Sequence, residues 1–80
     1  MKKQTNLISQ NLSALRQYHK YSQEEVAEKV GVTRQAVAKW EAGETVPDII
    51  NCDALADLYD VSVDALIHHE RSKNSTPSPM

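Results

Sequence analysis

Apolar side chains recur along this chain at intervals of three and four residues, the spacing that places them on one face of an α-helix. Such positions form short clusters between residues 8 and 67, and no stretch alternates apolar and polar residues as a half-buried strand would. The pattern predicts an all-α fold of five helices, at about residues 6–19, 23–30, 34–42, 49–59 and 63–69.

Capping residues predict the same boundaries independently. The oxygen of a Ser, Thr or Asp before a helix accepts from an amide of the first turn, and an apolar residue before the cap often packs on the fourth helical residue. Four caps have such a neighbour before them, and Glu25 completes a capping box with the first; the four are Ser22, Thr33, Asp48 and Ser62. Residues that tolerate a left-handed backbone end the three middle segments: Gly31, Gly43 and Asp60.

The length of 80 residues allows one compact domain. We expect that domain to cover residues 6–69, with a frayed segment at 1–5 and a disordered polar tail at 70–80. The single cysteine, Cys52, has no partner for an internal disulfide, and no apolar run is longer than three residues. These features favour a small cytoplasmic module with no membrane span and no signal peptide.

The net charge of −2 conceals a strong segregation of charge. Residues 1–40 carry seven Lys or Arg against three Glu, whereas residues 41–80 carry two against eight Asp or Glu. A net-acidic protein is usually expected to avoid nucleic acid, but the basic first half can still form a local positive face.

The second and third predicted helices are separated only by Gly31, Val32 and Thr33. So short a connection is typical of a helix-turn-helix, in which two short helices meet at a steep angle. The spacing of Trp40 from Val37 predicts that this tryptophan is a core residue and does not stack on bases. The remaining positions of the third helix are then left for its outer face: Arg34, Gln35, Ala36, Ala38 and Lys39.

From Ile8 to Ile67 the sequence resembles the Cro/C1-type (Xre-like) helix-turn-helix domains of phage and bacterial repressors. The resemblance is carried by Leu15-Arg16, the segments 22–27 and 31–37, Trp40-Glu41-Ala42-Gly43, Pro47, Leu55-Ala56 and the segment 61–66. It implies a five-helix bundle of the lambda-repressor type, whose third helix lies in the major groove of double-stranded DNA.

The resemblance also implies which residues read bases. Residues matching Arg34, Gln35 and Lys39 do so in the family. Their chemistry suits this role, because Arg and Lys pair with guanine O6 and N7 and Gln pairs bidentately with adenine. Ala36 is added to this set because its methyl group could touch the methyl group of thymine.

A second group is expected to position the domain on phosphates. In the family the residue matching Gln23 contacts a phosphate and can brace the residue matching Arg34. Thr33 and Ser22, at the starts of the two helices, are expected to add hydroxyl groups beside the positive ends of the helix dipoles. The resemblance further implies an ion pair between Arg16 and Glu41.

Two positions depart from the family pattern. Lys20 stands where the family often has a turn glycine, so the end of the first helix is expected to differ in detail. Glu44 replaces a frequent basic residue, which removes a phosphate contact.

Other chemistries find little support in the sequence. Metal-ligand atoms occur at Cys52, His68, His69 and Glu70, but not as a spaced Cys/His set, so no metal or other cofactor is expected. No nucleophile lies in a recognisable motif with a base, and there is no Gly-rich phosphate loop, so we do not expect an enzyme.

The sequence is therefore interpreted as a transcriptional regulator, a repressor that occludes a promoter as a homodimer on a palindromic operator. The dimer, formed at least on DNA, is expected to use the end of the fourth helix and Val63, Leu66 and Ile67 of the fifth helix. The alternative is a protein-interaction module, such as an antitoxin or anti-repressor, whose acidic second half faces a protein partner.

Overall fold

The computed structural model describes residues 5–68, which form five helices and no strand. The helices are α1 (Thr5–Tyr18), α2 (Gln23–Val30), α3 (Arg34–Ala42), α4 (Ile49–Tyr59) and α5 (Val63–Ile67). The bounds of α2, α3 and α4 agree with the prediction. The helix α1 begins and ends one residue earlier than predicted, and α5 ends two residues earlier. The frayed segment predicted at 1–5 lies outside the described residues except for Thr5, which is helical, and the tail predicted at 70–80 lies wholly outside them.

The predicted N-caps are confirmed. Each side-chain oxygen accepts from the amide three residues ahead, at 2.9 to 3.1 Å, and the caps are Ser22, Thr33, Asp48 and Ser62. The carboxylate of Glu25 also accepts from the backbone N–H of Ser22 at 2.8 Å, which completes the capping box. Local sequence therefore fixes where four of the five helices begin.

The ends of the first four helices share one geometry. A residue with positive φ follows each helix, and the next N–H donates to a carbonyl five residues back at 2.9 to 3.1 Å. The four residues with positive φ are Lys20, Gly31, Gly43 and Asp60. Lys20, with φ 62°, holds a left-handed backbone that its own Cβ disfavours, so α1 stops at a strained lysine where glycine would be relaxed.

The end of α5 is capped by a side chain from another helix. Its following residue, His68, is extended and gives no left-handed cap. Nδ2 of Asn11, on α1, donates to the carbonyl oxygens of Leu66 and His68 at 2.8 and 2.9 Å. Since the last carbonyls of a helix lack partners within it, this asparagine ties the short α5 to α1.

The core lies where α1 packs on α3 and α5, α2 packs on α3 and α4, and α4 packs on α5. Trp40 is 5% exposed, which confirms the prediction that it is a core residue. Cys52 is also buried, as a small core residue. The other buried apolar residues are Ile8, Leu12, Val26, Ala27, Val37, Leu55, Ala56, Tyr59 and Leu66. None of the described helices has both the length and the apolar character that a bilayer crossing requires.

The predicted dimer surface on α5 is wrong in one respect. Leu66 is fully buried in the core of its own domain, so it is not available to a second copy. Ile67 remains 45% exposed, while Val63 is half-buried. Larger apolar exposure occurs before and within the first turn of α4, where Val46, Ile49 and Ile50 are 56 to 75% exposed. We call these three residues the Val46–Ile50 patch.

Candidate nucleic-acid interface

The connection between α2 and α3 is fixed by backbone hydrogen bonds. Gly31 has φ 86°, and the N–H groups of Gly31 and Val32 both donate to the carbonyl oxygen of Ala27, at 2.8 and 2.9 Å. The partly buried Val32 packs on the core, and Thr33 then starts α3 as its cap. Three residues therefore orient α3 relative to α2, as the sequence predicts.

One face of α3 holds the helix in the domain. Val37 and Trp40 are 1% and 5% exposed. Arg34, Gln35 and Lys39 are all exposed. Because successive helical residues are rotated by about 100°, these three lie within an arc of about 140°, away from the two buried residues. The structure thus brings the three predicted base-reading residues together on one open surface.

Ala36 does not share that surface. It is half-buried and packs against the core, close to the direction of Trp40 on the helix. The expectation that Ala36 lies on the outer face is therefore wrong, because a rotation of about 200° from Arg34 turns it toward the core. Ala38, also half-buried, lies between Arg34 and Gln35 in that projection and lines the groove on the outer side of α3.

Gln23 is half-buried and joins a small network inside the domain. Its Nε2 donates to Oε1 of Glu41 at 3.1 Å, and it is this carboxylate, not Arg34, that its amide nitrogen contacts. Nε of Arg16 donates to both oxygens of Glu41, at 3.1 and 2.8 Å, which confirms the predicted ion pair. Nη1 of Arg16 also donates to the carbonyl oxygen of Tyr21 at 2.9 Å. The start of α2, the end of α3 and α1 are thereby fixed to one another.

The hydroxyl groups of Ser22 and Thr33 are exposed at the starts of α2 and α3. Each oxygen accepts from a backbone amide, so its proton remains available for donation. The two helix starts also carry the partial positive charge of their dipoles. These positions suit phosphate oxygens, and the role predicted for Ser22, Thr33 and Gln23 stays a prediction.

One cation of the first half, Arg16, is paired within the domain, and another, Lys29, lies beside an aromatic ring. Arg16 is bound to Glu41, and Nζ of Lys29 lies 5.5 Å from the ring centroid of Tyr21. On the exposed face of α3 the cations are Arg34 and Lys39.

A groove of about 350 Å³ extends this face beyond the three predicted residues. Its walls are formed by Gln35, Ala38, Lys39, Ala42 and Glu44. In the sequence, Glu44 is recognisable only as a departure from the family pattern, and Ala42 is not among the predicted site residues. Helical rotation alone would have found Ala42, which lies between Ala38 and Gln35 on the same face. Glu44 follows α3 through a turn, so its position needed the structure.

The part of the chain that the structure describes contains no candidate metal-binding site. Within residues 5–68 no three His, Cys, Asp or Glu side chains form a group that could hold an ion. His69 and Glu70, which the sequence offered as ligand atoms, lie outside the described residues.

Comparison with known proteins agrees with this geometry. A family model described as helix-turn-helix matches residues 12–66, which include all five helices in whole or in part. The chain belongs to the Cro/C1-type helix-turn-helix family. This family comprises DNA-binding transcriptional regulators.

Individual members of the family show the same likeness. The chain is 40% identical over 61 residues to the uncharacterized transcriptional regulator YobD of Bacillus subtilis, covering 76% of this chain and 54% of YobD. It thus spans about half the length of the curated relatives that it matches. The solution structure of the SOS-response repressor LexA from Eubacterium rectale superposes with a TM-score of 0.86 and 28% identity, covering 99% of this chain and 83% of that one.

A structure with DNA is also similar. The phage P22 c2 repressor, in complex with a synthetic operator, superposes with a TM-score of 0.74 and 33% identity. The match covers 76% of this chain and 92% of the P22 chain. The lambda-repressor-like fold that the resemblance implied is therefore confirmed.

Proposed function

We propose that this protein is a sequence-specific regulator that binds double-stranded DNA by inserting α3 into the major groove. The observation that carries the proposal is the shared exposure of Arg34, Gln35 and Lys39 on the face of α3 opposite Val37 and Trp40. A helix in the major groove needs such a face, on which long donor side chains reach base edges while the other face holds the helix in the domain. The similar P22 c2 repressor forms a complex with a synthetic operator, which supports DNA as the ligand.

Selection from a random duplex pool tests this function. The parent protein should enrich a motif, and Arg34→Ala should lose discrimination at one base pair while retaining the fold. Lys29→Ala, which removes an equal charge from α2, should keep the motif and change only the overall affinity. Absence of enrichment with the folded parent, or an unchanged motif with Arg34→Ala, would contradict the proposal.

Repression by promoter occlusion is the mechanism that we propose. One domain reads only a few base pairs, so a useful operator needs two copies on half-sites about 34–36 Å apart. A dimer that covers a promoter excludes polymerase from the same DNA. The measurement is transcription from a template carrying the selected motif inside or upstream of the promoter, where only the internal site should be repressed.

The Val46–Ile50 patch is the surface that we propose for the second copy. It brings three exposed apolar side chains close together in sequence, whereas α5 offers mainly Ile67. Exposed Asp48 and Asp53 lie within and beside the patch in sequence, so two copies meeting there repel each other at low salt. This supports a weak solution dimer that forms fully on DNA.

Sedimentation equilibrium distinguishes this surface from α5. Self-association should strengthen as salt rises, because screening reduces the repulsion between carboxylates. Ile49→Ser with Ile50→Ser should abolish association, whereas Ile67→Ser should leave it intact. The reverse pattern would assign the dimer to α5.

A protein partner remains the second candidate function, favoured by the charge of the second half. Residues 40–68 contain no Lys or Arg and seven Asp or Glu, and the exposed Ile49 and Ile50 lie among them. Such a surface suits a protein with basic and apolar contacts. The salt dependence of binding distinguishes the two functions. Affinity for DNA should fall steeply between low and physiological ionic strength, because binding releases counterions.

A further inference from the structure

The groove beside α3 has walls of opposite charge. Lys39 and Glu44 both line it, with Gln35 and the methyl groups of Ala38 and Ala42 between the polar groups. None of the ion pairs within residues 5–68 includes Glu44, so its carboxylate is free to accept from a molecule that enters the groove.

Glu44 is held in place relative to Lys39 by the turn that ends α3. Its backbone N–H donates to the carbonyl oxygen of Lys39 at 2.9 Å, and Gly43 before it has a left-handed backbone with φ 80°. The end of a helix carries partial negative charge, so a carboxylate here does not stabilise α3. Stabilisation of α3 therefore does not explain why Glu44 occupies this position.

The two walls complement one base pair. In the major groove, guanine presents the acceptors N7 and O6, and its partner cytosine presents the donor N4. Lysine donates to the guanine edge and glutamate accepts from the cytosine edge. An A·T pair in the same orientation places thymine O4, an acceptor, opposite the carboxylate and therefore repels Glu44. The reversed pair places the N6 amino donor of adenine there, but it offers Lys39 only thymine O4, one acceptor in place of the two of guanine.

The geometry points to Glu44 as a specificity-determining residue that selects cytosine at one operator position, beside a guanine contacted by Lys39. Glu44 accepts from N4 of that cytosine and excludes bases that present an acceptor at the same place. This inference rests on the proposed function, since it requires α3 to lie in the major groove.

Selection from a random duplex pool tests it with three proteins. The parent should enrich cytosine at one position of the motif. Glu44→Ala should lose that preference while the other positions stay unchanged, and Glu44→Gln should shift it toward adenine, with which glutamine pairs. Asp57→Ala, which removes an exposed carboxylate from α4, is the matched control and should retain the parent motif in full.

Direct binding measurements give the size of this base discrimination. The parent should discriminate about tenfold between the selected duplex and one with thymine in place of that cytosine, and Glu44→Ala should bind the two within about twofold. A Glu44→Ala protein that binds every duplex more tightly, with the motif unchanged, would overturn the inference, because the carboxylate would then face only phosphates. Unchanged affinity and motif would overturn it too. If the folded parent enriches no motif, the proposed function fails and this inference fails with it.

Discussion

Nε of Arg16 donates to both carboxylate oxygens of Glu41, at 2.8 and 3.1 Å, and thereby joins α1 to the end of α3. The side chains are only 18% and 7% exposed, so the pair is largely removed from water. Glu41 also accepts from Gln23 at the start of α2. A single carboxylate therefore fixes α3 relative to both preceding helices.

Removal of that carboxylate should destabilise the domain strongly. We expect Glu41→Ala to lower the free energy of unfolding by about 3 kcal/mol, because it leaves the Arg16 guanidinium buried without its partner. Urea unfolding followed by circular dichroism measures the change. The double variant Arg16→Met with Glu41→Leu should recover most of the loss, since no unpaired charge remains. A midpoint for Glu41→Ala equal to that of the parent would show that the pair contributes little.

The strained end of α1 predicts a stabilising substitution. Lys20 has φ 62°, a conformation that costs an L-residue energy but not glycine. Lys20→Gly should raise the free energy of unfolding by about 0.5–1 kcal/mol, after the greater entropy of glycine in the unfolded chain is deducted. Lys29→Gly, inside α2, is the control and should lower it by about 1 kcal/mol. Destabilisation by Lys20→Gly would mean that the lysine side chain makes a compensating contact.

The cap that Asn11 provides predicts a local effect on α5. Asn11→Ala should cost about 1–2 kcal/mol, because two carbonyl oxygens at the end of the helix lose their donor. Amide hydrogen exchange should accelerate in α5 more than in α2 or α3. Gln17→Ala removes an exposed hydrogen bond to Ser13 on the same helix and should change stability by less than about 0.5 kcal/mol. Equal exchange rates in α5 for parent and Asn11→Ala would refute the capping role.

Buried Tyr59 predicts a loss of stability at alkaline pH. Its pKa is raised, first because burial disfavours the phenolate and then because the Glu41 carboxylate lies near. The pKa of Tyr59 in the folded protein exceeds the value of about 10 in the unfolded chain. The contribution of Tyr59 to the free energy of unfolding is therefore complete below about pH 10 and declines as the pH rises toward the folded pKa. In this range the free energy of unfolding should fall by up to about 1.4 kcal/mol per pH unit.

Urea unfolding between about pH 8 and pH 11 measures this dependence. Burial also raises the pKa of the Cys52 thiol, so this residue too should lower the free energy of unfolding as the pH rises. Tyr59→Phe should flatten the curve above about pH 10. Tyr18→Phe should not, since that ring is 80% exposed. If the free energy of unfolding changes with pH in parallel for the parent and Tyr59→Phe, Tyr59 is excluded as the source of the alkaline loss of stability.

Much of the proposed DNA-binding surface could be predicted from local pattern. Ser22 and Thr33 predicted where α2 and α3 begin, and the spacing of Val37 and Trp40 predicted which face of α3 is buried. Arg34, Gln35 and Lys39 follow as the exposed face by rotation alone. The misplacement of Ala36 was avoidable, because the same rotation turns it toward Trp40.

Other features needed contacts between residues far apart in the chain. Asn11 caps α5 from 55 residues away, and no local signal at Leu66 indicates this partner. The apolar spacing of Val63, Leu66 and Ile67 was equally consistent with a dimer surface and with a core, and only packing against α1 and α4 buried Leu66.

The sequence by itself determined the helices, their caps and the two faces of α3, because these depend on hydrogen bonds and periodicities within a few residues. The tertiary structure decided which polar groups are bound internally, such as Gln23 on Glu41, and which remain free, such as Glu44 opposite Lys39. That choice depends on the packing of whole helices against one another, a relation in space that the spacing of residues along the chain does not encode.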